Sequence, residues 1–188
     1  MTGHDITSSS VLLFGPDGDL SRTIAATCRA HGIEAASGPE PCGGPSRASP
    51  EATPPTKSAV FILAAETTES LFGQTLSVAA RRRLRSCENS ICDSALAAAG
   101  ADGARRVLVA CDARTLSFGK RLRAERWARD LAHRIGYEGR INGYSDLTTS
   151  YAVVETEDEV QLLADAIVEW HQGGAPAGEP RRALAVLR

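Results

Sequence analysis

The sequence lacks any long apolar run. No stretch approaches the roughly 20 consecutive apolar residues that a membrane-spanning helix needs, although 43% of the 188 residues are hydrophobic. Residues 1–10 also lack the basic segment followed by an apolar segment that marks a secretory signal. We therefore expect a cytoplasmic protein without membrane association, in which residues 1–10 are a polar lead-in to a single domain.

Grouped metal ligands are also missing. The five cysteines form no Cys-x-x-Cys pair, and the four histidines are scattered along the chain. A structural zinc site needs clustered ligands, so we expect no metal site. An odd number of dispersed cysteines instead predicts reduced thiols, several of them buried as small hydrophobic side chains.

Aromatic residues are scarce, at 5% of the chain, and no basic segment is interleaved with them. Together with a formal net charge of −2, this argues against nucleic-acid binding. The charge is unevenly spread: residues 81–140 hold 14 Arg or Lys and 7 Asp or Glu, whereas residues 141–180 hold eight acids and no Arg or Lys. This pattern indicates two solvated faces of opposite charge, or else a basic surface for an acidic partner or a self-complementary oligomer contact.

Short apolar runs alternate with longer segments of helical periodicity. The apolar runs predict strands at residues 11–14, 33–36, 59–63 and 107–110. The periodic segments predict helices at residues 20–31, 76–99, 117–135 and 156–170. The last helix is expected to open with a capping box formed by Thr156 and Glu159. The alternation predicts a Rossmann-like α/β three-layer sandwich with a mostly parallel sheet.

Glycine and proline predict the interruptions. Residues 38–57 are a Pro/Gly-rich loop, which shortens the sandwich after its second strand because proline removes backbone donors. The remaining interruptions are a turn at 136–139, a strand beginning at 140–142, a flexible connection at 172–181 and a last strand at 183–187.

The first strand is followed by a glycine-containing turn, Gly15-x-x-Gly18-x-x-Ser21, and then by a helical segment. This is how an α/β domain places a phosphate at a helix N-terminus. The glycines are also needed simply to turn the chain, and the acids at positions 17 and 19 are poor neighbours for a pyrophosphate. The candidate nucleotide-binding residues lie in this turn, at the end of the second strand and after the third: Gly15, Asp17, Gly18, Leu20, Ser37, Ala64 and Ala65.

A family pattern extends over most of the chain. It comprises a long helix, a buried strand at 106–110, a helix ending Arg129-Asp130-Leu131-Ala132, the segments Gly139-Arg140-Ile141-Asn142 and Glu157-Asp158-Glu159-Val160, and a final Ala185-Val186-Leu187. Residues 77–187 thereby resemble the second half of a short-chain dehydrogenase/reductase, especially the β-ketoacyl carrier-protein reductase branch. Residues 11–22 and 61–65 match the first half. The resemblance implies NADP or NAD as cofactor; for the degenerate form of such a domain, the alternative is that it binds no cofactor.

The catalytic positions of that family are largely lost. The family uses a Ser, a Tyr that donates a proton to the substrate carbonyl, and a Lys four residues after the Tyr. The last two positions correspond here to Ser117 and Arg121, and no Tyr-x-x-x-Lys exists in the chain. Lys120 is one residue out of register, and the strand end that should supply the Ser reads Ala110-Cys111-Asp112. The second strand ends without an acid for a ribose 2′-hydroxyl, which suits NADP.

Three functions remain open. The first is a non-catalytic, reductase-like domain that binds nucleotide or serves as a structural subunit. Such a domain is expected to form a homo-oligomer through helices 76–99 and 117–135, and to meet a ketoreductase or an acidic carrier protein. The second is an active NAD(P)H-dependent oxidoreductase, whose candidate catalytic residues are Cys111, Asp112, Ser117 and Lys120, although Cys111 also suits a core thiol. The third is a receiver-like signalling domain that acts without phosphorylation, since no Asp follows strand 59–63.

Overall fold

Strands and helices alternate along the chain. The computed structural model describes residues 10–38, 40, 56–73, 77–173 and 185–187. The strands in this part of the chain are β1 (Ser10–Phe14), β2 (Glu34–Gly38), β3 (Thr56–Leu63), β4 (Arg106–Asp112), β5 (Thr148–Val154) and β6 (Ala185–Leu187). The helices are α1 (Asp19–Ala30), α2 (Ala65–Phe72), α3 (Val78–Ala101), α4 (Phe118–Ile141) and α5 (Asp158–Gln172).

One sheet joins the strands in the order β2-β1-β3-β4-β5-β6. The first five strands are parallel, and β6 pairs antiparallel with β5. The central strands are continuous apolar runs because helices cover both faces of the sheet. The predicted α/β three-layer sandwich with a mostly parallel sheet is therefore confirmed.

The helices divide between the two faces of the sheet. Ile24 of α1 and Ile167 of α5 pack with Val60 and Leu108 in one buried cluster. Helices α2, α3 and α4 pack on the other face, where their side chains surround residues such as Phe61. The connection after β1 thus leaves toward one face and the connection after β3 toward the other. The carboxyl ends of β1 and β3 therefore form the topological switch point, where open α/β sheets bind ligands.

The long helices bury the apolar stripes that their periodicity predicts, except that Leu84, the first residue of the predicted stripe of α3, is only half-buried. In α3 the buried positions include Cys87, Ile91 and Ala95; in α4 they include Ala124, Trp127, Ala128, Leu131 and Ile135; in α5 they include Val160, Leu163, Ala164, Ile167 and Val168. These side chains fill the space between the helices and the sheet, which explains why helical periodicity located the helices correctly.

Helix α4 does not end where the glycines suggest. The predicted turn at 136–139 and the strand at 140–142 are wrong, because α4 continues to Ile141. A Cβ on Gly136 would lie 3.0 Å from Thr149 Oγ1, and one on Gly139 would lie 2.8 Å from Leu147 Cδ2. These glycines bring α4 close to the start of β5. The Gly139-Arg140-Ile141-Asn142 segment therefore lies at a helix end, and the strand that follows is β5.

Several boundaries also differ from the expectations. Ser10 belongs to β1 rather than to the lead-in, Gly38 closes β2, and residues 56–57 begin β3, so the expected 38–57 loop is shorter at both ends. Helix α2 (Ala65–Phe72) was not predicted, and it begins directly after Ala64. Residues 1–9, 41–55 and 174–184 lie outside the described residues, and with them most of the predicted loop and flexible connection.

The capping box of α5 forms in part. The Glu159 carboxylate accepts hydrogen bonds from the backbone N–H groups of Glu155 (2.6 Å) and Thr156 (3.2 Å). The helix itself begins at Asp158, one residue later than a Thr156 cap would place it. Glu159 therefore has its expected role, whereas the Thr156 side chain does not cap the helix.

The cysteines are not all reduced. Cys28, Cys92 and Cys111 are buried free thiols, as expected. Cys87, however, is disulfide-bonded, so the prediction of an entirely reduced set is wrong at this position. Cys42 lies outside the described residues.

Candidate functional site

The turn between β1 and α1 lies at the switch point and is tightly constrained. Gly15 has a φ of +152°, and a Cβ there would lie 2.5 Å from the Ile62 carbonyl oxygen of β3. Only glycine fits this conformation and this close approach. The Ser21 hydroxyl accepts a hydrogen bond from the Gly18 N–H (2.8 Å) and lies 2.9 Å from the Pro16 carbonyl oxygen. The motif thus positions the first turn of α1 directly above the end of β1.

A groove of about 560 Å³ lies beside this turn, between α1 and the end of β2. Its lining includes three of the predicted nucleotide-binding residues, Gly15, Asp17 and Ser37. Arg22 and Arg29 also line it and were not foreseen. They are seven residues apart on α1, so they lie on the same face of the helix. Their seven-residue spacing in the sequence could have revealed them. The sequence analysis looked instead for an acid at the end of the second strand.

The other predicted nucleotide-binding residues lie outside the groove lining. Leu20 is 2% exposed and packs in the core between α1 and the sheet. Gly18 is the N-cap of α1. Ala64 is the N-cap of α2, and Ala65 is the first residue of that helix. These residues therefore shape the two turns at the switch point, and the groove itself is formed by α1 and the strand ends.

Arg114 links three segments at the carboxyl edge of the sheet. Its guanidinium lies 2.7 Å from Asp112 at the end of β4, 3.2 Å from Asp19 at the start of α1 and 2.5 Å from Glu157 before α5. The hydrogen bonds to Asp112 are the main cause of the raised pKa of Arg114. No motif in the sequence points to this residue, because two of its partners, Asp19 and Glu157, lie far from it along the chain. Its contact with Asp19 also offsets one of the negative charges beside α1.

The predicted catalytic residues Cys111 and Asp112 point in opposite directions, as neighbours on a strand do. Cys111 is fully buried in the core facing α3 and α4, and burial raises its thiol pKa to about 12. At neutral pH it is a protonated thiol and a poor nucleophile. Asp112 is 3% exposed and is held by Arg114, whose backbone N–H and Nε both donate to Oδ1.

Ser117 and Lys120 lie at the start of α4. Ser117 is the exposed N-cap of the helix, and its carbonyl accepts the backbone N–H groups of Lys120 and Arg121. Arg121, at the family's Lys position, donates to the Leu116 carbonyl at 2.7 Å and lies 3.7 Å from Glu155. Arg121 therefore braces the loop between β4 and α4.

Neither a metal site nor a membrane span is found in the described part of the chain. No group of three or more His, Cys, Asp or Glu residues there could hold a metal ion. Among the same residues, no helix combines the length and the apolar character needed to cross a bilayer.

The fold and the site define a doubly wound α/β domain with a groove at its switch point. Comparison with protein-family models, with curated proteins and with solved structures gives no match. The function is therefore argued from the groove and its neighbours.

Proposed function

We propose that this chain is a non-catalytic, reductase-like α/β domain that binds a nucleotide in the groove between α1 and β2. The supporting observation is the groove itself: about 560 Å³ of space at the carboxyl ends of β1 and β2, lined by Arg22 and Arg29. Its volume lies in the range of small-molecule and cofactor sites, roughly 300–1,000 Å³.

The chemistry of the groove suits a phosphorylated ligand. The N-terminus of α1 carries a partial positive charge and backbone donors without helical partners. Arg22 and Arg29 add two cations, whereas Asp17, 4.0 Å from Arg22, is the one acid in the lining among the described residues. Ser37, at the end of β2, offers a hydroxyl in place of the acid that would select NAD. These features favour NADPH over NADH.

The absence of catalysis is proposed from the chemical state of the candidate residues. Cys111 is buried with a raised pKa, and Asp112 is occupied by Arg114. No Tyr-x-x-x-Lys is present to protonate a carbonyl. The competing hypothesis, an oxidoreductase that uses Cys111, Asp112, Ser117 and Lys120, requires a substrate to displace the Asp112–Arg114 pair.

A nucleotide titration tests the proposal. NADPH, NADH and FMN are titrated against the purified chain, with thermal unfolding and ligand fluorescence as readouts. Saturable binding of NADPH should raise the melting temperature. At a free NADPH concentration of 100 times Kd, the free energy of unfolding should increase by about 2.7 kcal/mol. Arg22→Gln/Arg29→Gln should weaken it at least about tenfold through the loss of charge-assisted contacts.

The matched control is Arg82→Gln/Arg83→Gln, which removes two exposed arginines of α3 far from the groove in sequence. This variant should bind as the parent does. If no nucleotide stabilises the chain at millimolar concentration, the nucleotide-binding part of the proposal is wrong. NADPH consumption with a panel of ketones and ketoacyl thioesters would instead favour the oxidoreductase hypothesis.

A receiver-like module is the second candidate, and the sheet topology is the observation that favours it. The strand order β2-β1-β3-β4-β5 is that of the flavodoxin and CheY class of doubly wound folds. Here Ala64 and Ala65 follow β3, where a phosphoacceptor would be needed. A receiver-like function would therefore act without phosphorylation, and incubation with a small phosphodonor should leave the chain unmodified.

Self-association through α3 and α4 belongs to the same proposal. Both helices expose large apolar side chains within the expected contact ranges: Val78 is 69% exposed, Phe118 73% and Leu122 49%. If these side chains lie in a dimer interface, Phe118→Glu/Leu122→Glu should convert the dimer to a monomer in light scattering. A parent chain that is monomeric at high concentration would contradict this interface.

A further inference from the structure

A second concave site lies at the opposite edge of the sheet from the nucleotide groove. It has a volume of about 200 Å³ and lies between the second half of α4 and the start of β5. Its polar lining comes from helix, loop and strand and consists of His133, Arg140, Ser145, Thr148 and Thr149, with Gly136 between the helical residues. We refer to these six residues as the α4–β5 pocket.

The helical wall of the pocket follows from residue spacing. His133, Gly136 and Arg140 are three and four residues apart, so they lie on one face of α4. Because Gly136 has no side chain, a gap opens between the longer side chains of His133 and Arg140. The floor of the gap is close to Thr149, whose Oγ1 would lie only 3.0 Å from a Cβ at position 136.

Among the described residues, the arginine of the pocket has no ion-pair partner. Neighbouring arginines are ion-paired: Arg134 with Glu138 at 2.7 Å, and Arg105 with Asp146 at 2.5 Å. The Arg140 side chain forms no ion pair with a described residue, and its one hydrogen bond there runs from Nε to the Gly136 carbonyl at 3.2 Å.

We propose that the α4–β5 pocket binds a tetrahedral oxyanion, such as inorganic phosphate or the phosphate group of a monoester. The Arg140 guanidinium supplies charge-assisted donors. In the structure the Ser145 hydroxyl donates to Asp146 Oδ1 at 3.4 Å and the Thr148 hydroxyl to the Arg105 carbonyl at 3.2 Å. Each has a single donor hydrogen, which would turn to the anion when it binds. The volume is below the roughly 300 Å³ at which drug-sized ligand sites begin, which restricts the occupant to a small anion. This site lies apart from the nucleotide groove and does not depend on it.

The test is a titration with inorganic phosphate at constant ionic strength, with sodium chloride as the balancing salt. Backbone amide chemical shifts report where phosphate binds. We expect saturable shifts at Gly136, Ser145 and Thr149, and an apparent Kd that Arg140→Gln weakens about tenfold. Arg140→Lys should recover part of the affinity, since it keeps the charge but loses the planar donor geometry.

The matched control is Arg126→Gln, which removes an exposed arginine of the same helix outside the pocket. It should leave the shifts and the Kd unchanged, and so should Arg22→Gln/Arg29→Gln. Methyl phosphate is the second arm: equal affinity for it indicates a monoester as the source, and weaker affinity indicates the free anion. The proposal is overturned if the pocket amides do not shift, or if Arg126→Gln weakens binding as much as Arg140→Gln.

Discussion

Arg114 and Asp112 form a bidentate ion pair at the carboxyl end of β4. Arg114 Nη2 lies 2.7 Å from Asp112 Oδ2, and Arg114 Nε lies 3.0 Å from Oδ1. The Asp112 side chain is 4% exposed, so the carboxylate has almost no access to water. Through Asp19 and Glu157, the same arginine also ties the starts of α1 and α5 to this strand end.

Arg114→Met should therefore be strongly destabilising. Removing one partner of a buried ion pair leaves the other charge uncompensated, which costs about 3–5 kcal/mol. Urea unfolding measures the loss. In a double-mutant cycle, Arg114→Met should cost much less when Asp112→Asn is already present, because no buried charge is then left unpaired.

The exposed pair Arg105–Asp146 is the control for this prediction. Its side chains are 62% and 64% exposed, so Arg105→Met should cost less than about 1 kcal/mol. If Arg114→Met and Arg105→Met lower the free energy of unfolding equally, the buried ion pair contributes no more to stability than the exposed one.

Gly15→Ala should destabilise the switch point. The new Cβ would clash with the Ile62 carbonyl at 2.5 Å, in a backbone conformation with φ of +152° that L-residues rarely adopt. We expect a loss of about 2–4 kcal/mol, measured by urea or thermal unfolding. Gly18→Ala is the matched control three residues away. Its added Cβ meets nothing within 4 Å, so the loss should stay below about 1 kcal/mol. Similar losses for both variants would argue against the close contact with β3.

These two sites show what the sequence could and could not predict. The continuous apolar runs located β3 and β4 because burial on both faces of a parallel sheet leaves a strong local signal. The Gly15 turn was found because its glycines directly follow an apolar run in the sequence. Gly136 and Gly139 misled the prediction because they are needed for tertiary packing rather than for a turn. They leave space for the side chains of Thr149 and Leu147, and residue spacing does not reveal that contact. Arg114 was missed because its ion pairs form with acids that come together only in the folded chain.

His171 should make stability depend on pH in the acidic range. Its ring is 3% exposed, and Nδ1 lies 2.9 Å from Ser58 Oγ. Burial, together with the positive charges of Lys57 and Arg106, lowers its pKa from 6.5 to about 4. Between these two values the unfolded chain binds the proton more readily than the folded chain does, so stability falls as pH falls from about 6.5 to about 4.

The expected loss over that range is on the order of 2–3 kcal/mol. Urea unfolding at a series of pH values measures it. His171→Gln keeps a polar side chain but cannot titrate, so the slope between these pH values should become shallower. An unchanged slope in this variant would assign the pH dependence to other groups.

The last prediction concerns two buried serines on the strands that flank β4. Ser150 in β5 and Ser58 in β3 are both fully buried. Ser150 Oγ has no hydrogen-bond partner among the described residues, whereas Ser58 Oγ lies 2.9 Å from His171 Nδ1. A buried hydroxyl without a partner carries a desolvation cost of about 1–3 kcal/mol, so Ser150→Ala should be neutral to stabilising, by up to about 1 kcal/mol. That gain corresponds to a rise of roughly 2–4 °C in melting temperature for a chain of this size.

Ser58→Ala should have the opposite sign. The substitution removes the hydroxyl and leaves the buried His171 ring without this partner, which should cost about 1–3 kcal/mol. Thermal unfolding of both variants under one set of conditions makes the comparison. Because the two substitutions delete the same atom at equally buried positions, the difference in sign isolates the hydrogen bond from the loss of packing. If Ser150→Ala is as destabilising as Ser58→Ala, then the Ser150 hydroxyl has a bound water or another partner in solution. In that case a cavity-filling variant such as Ser150→Val should not stabilise the chain either.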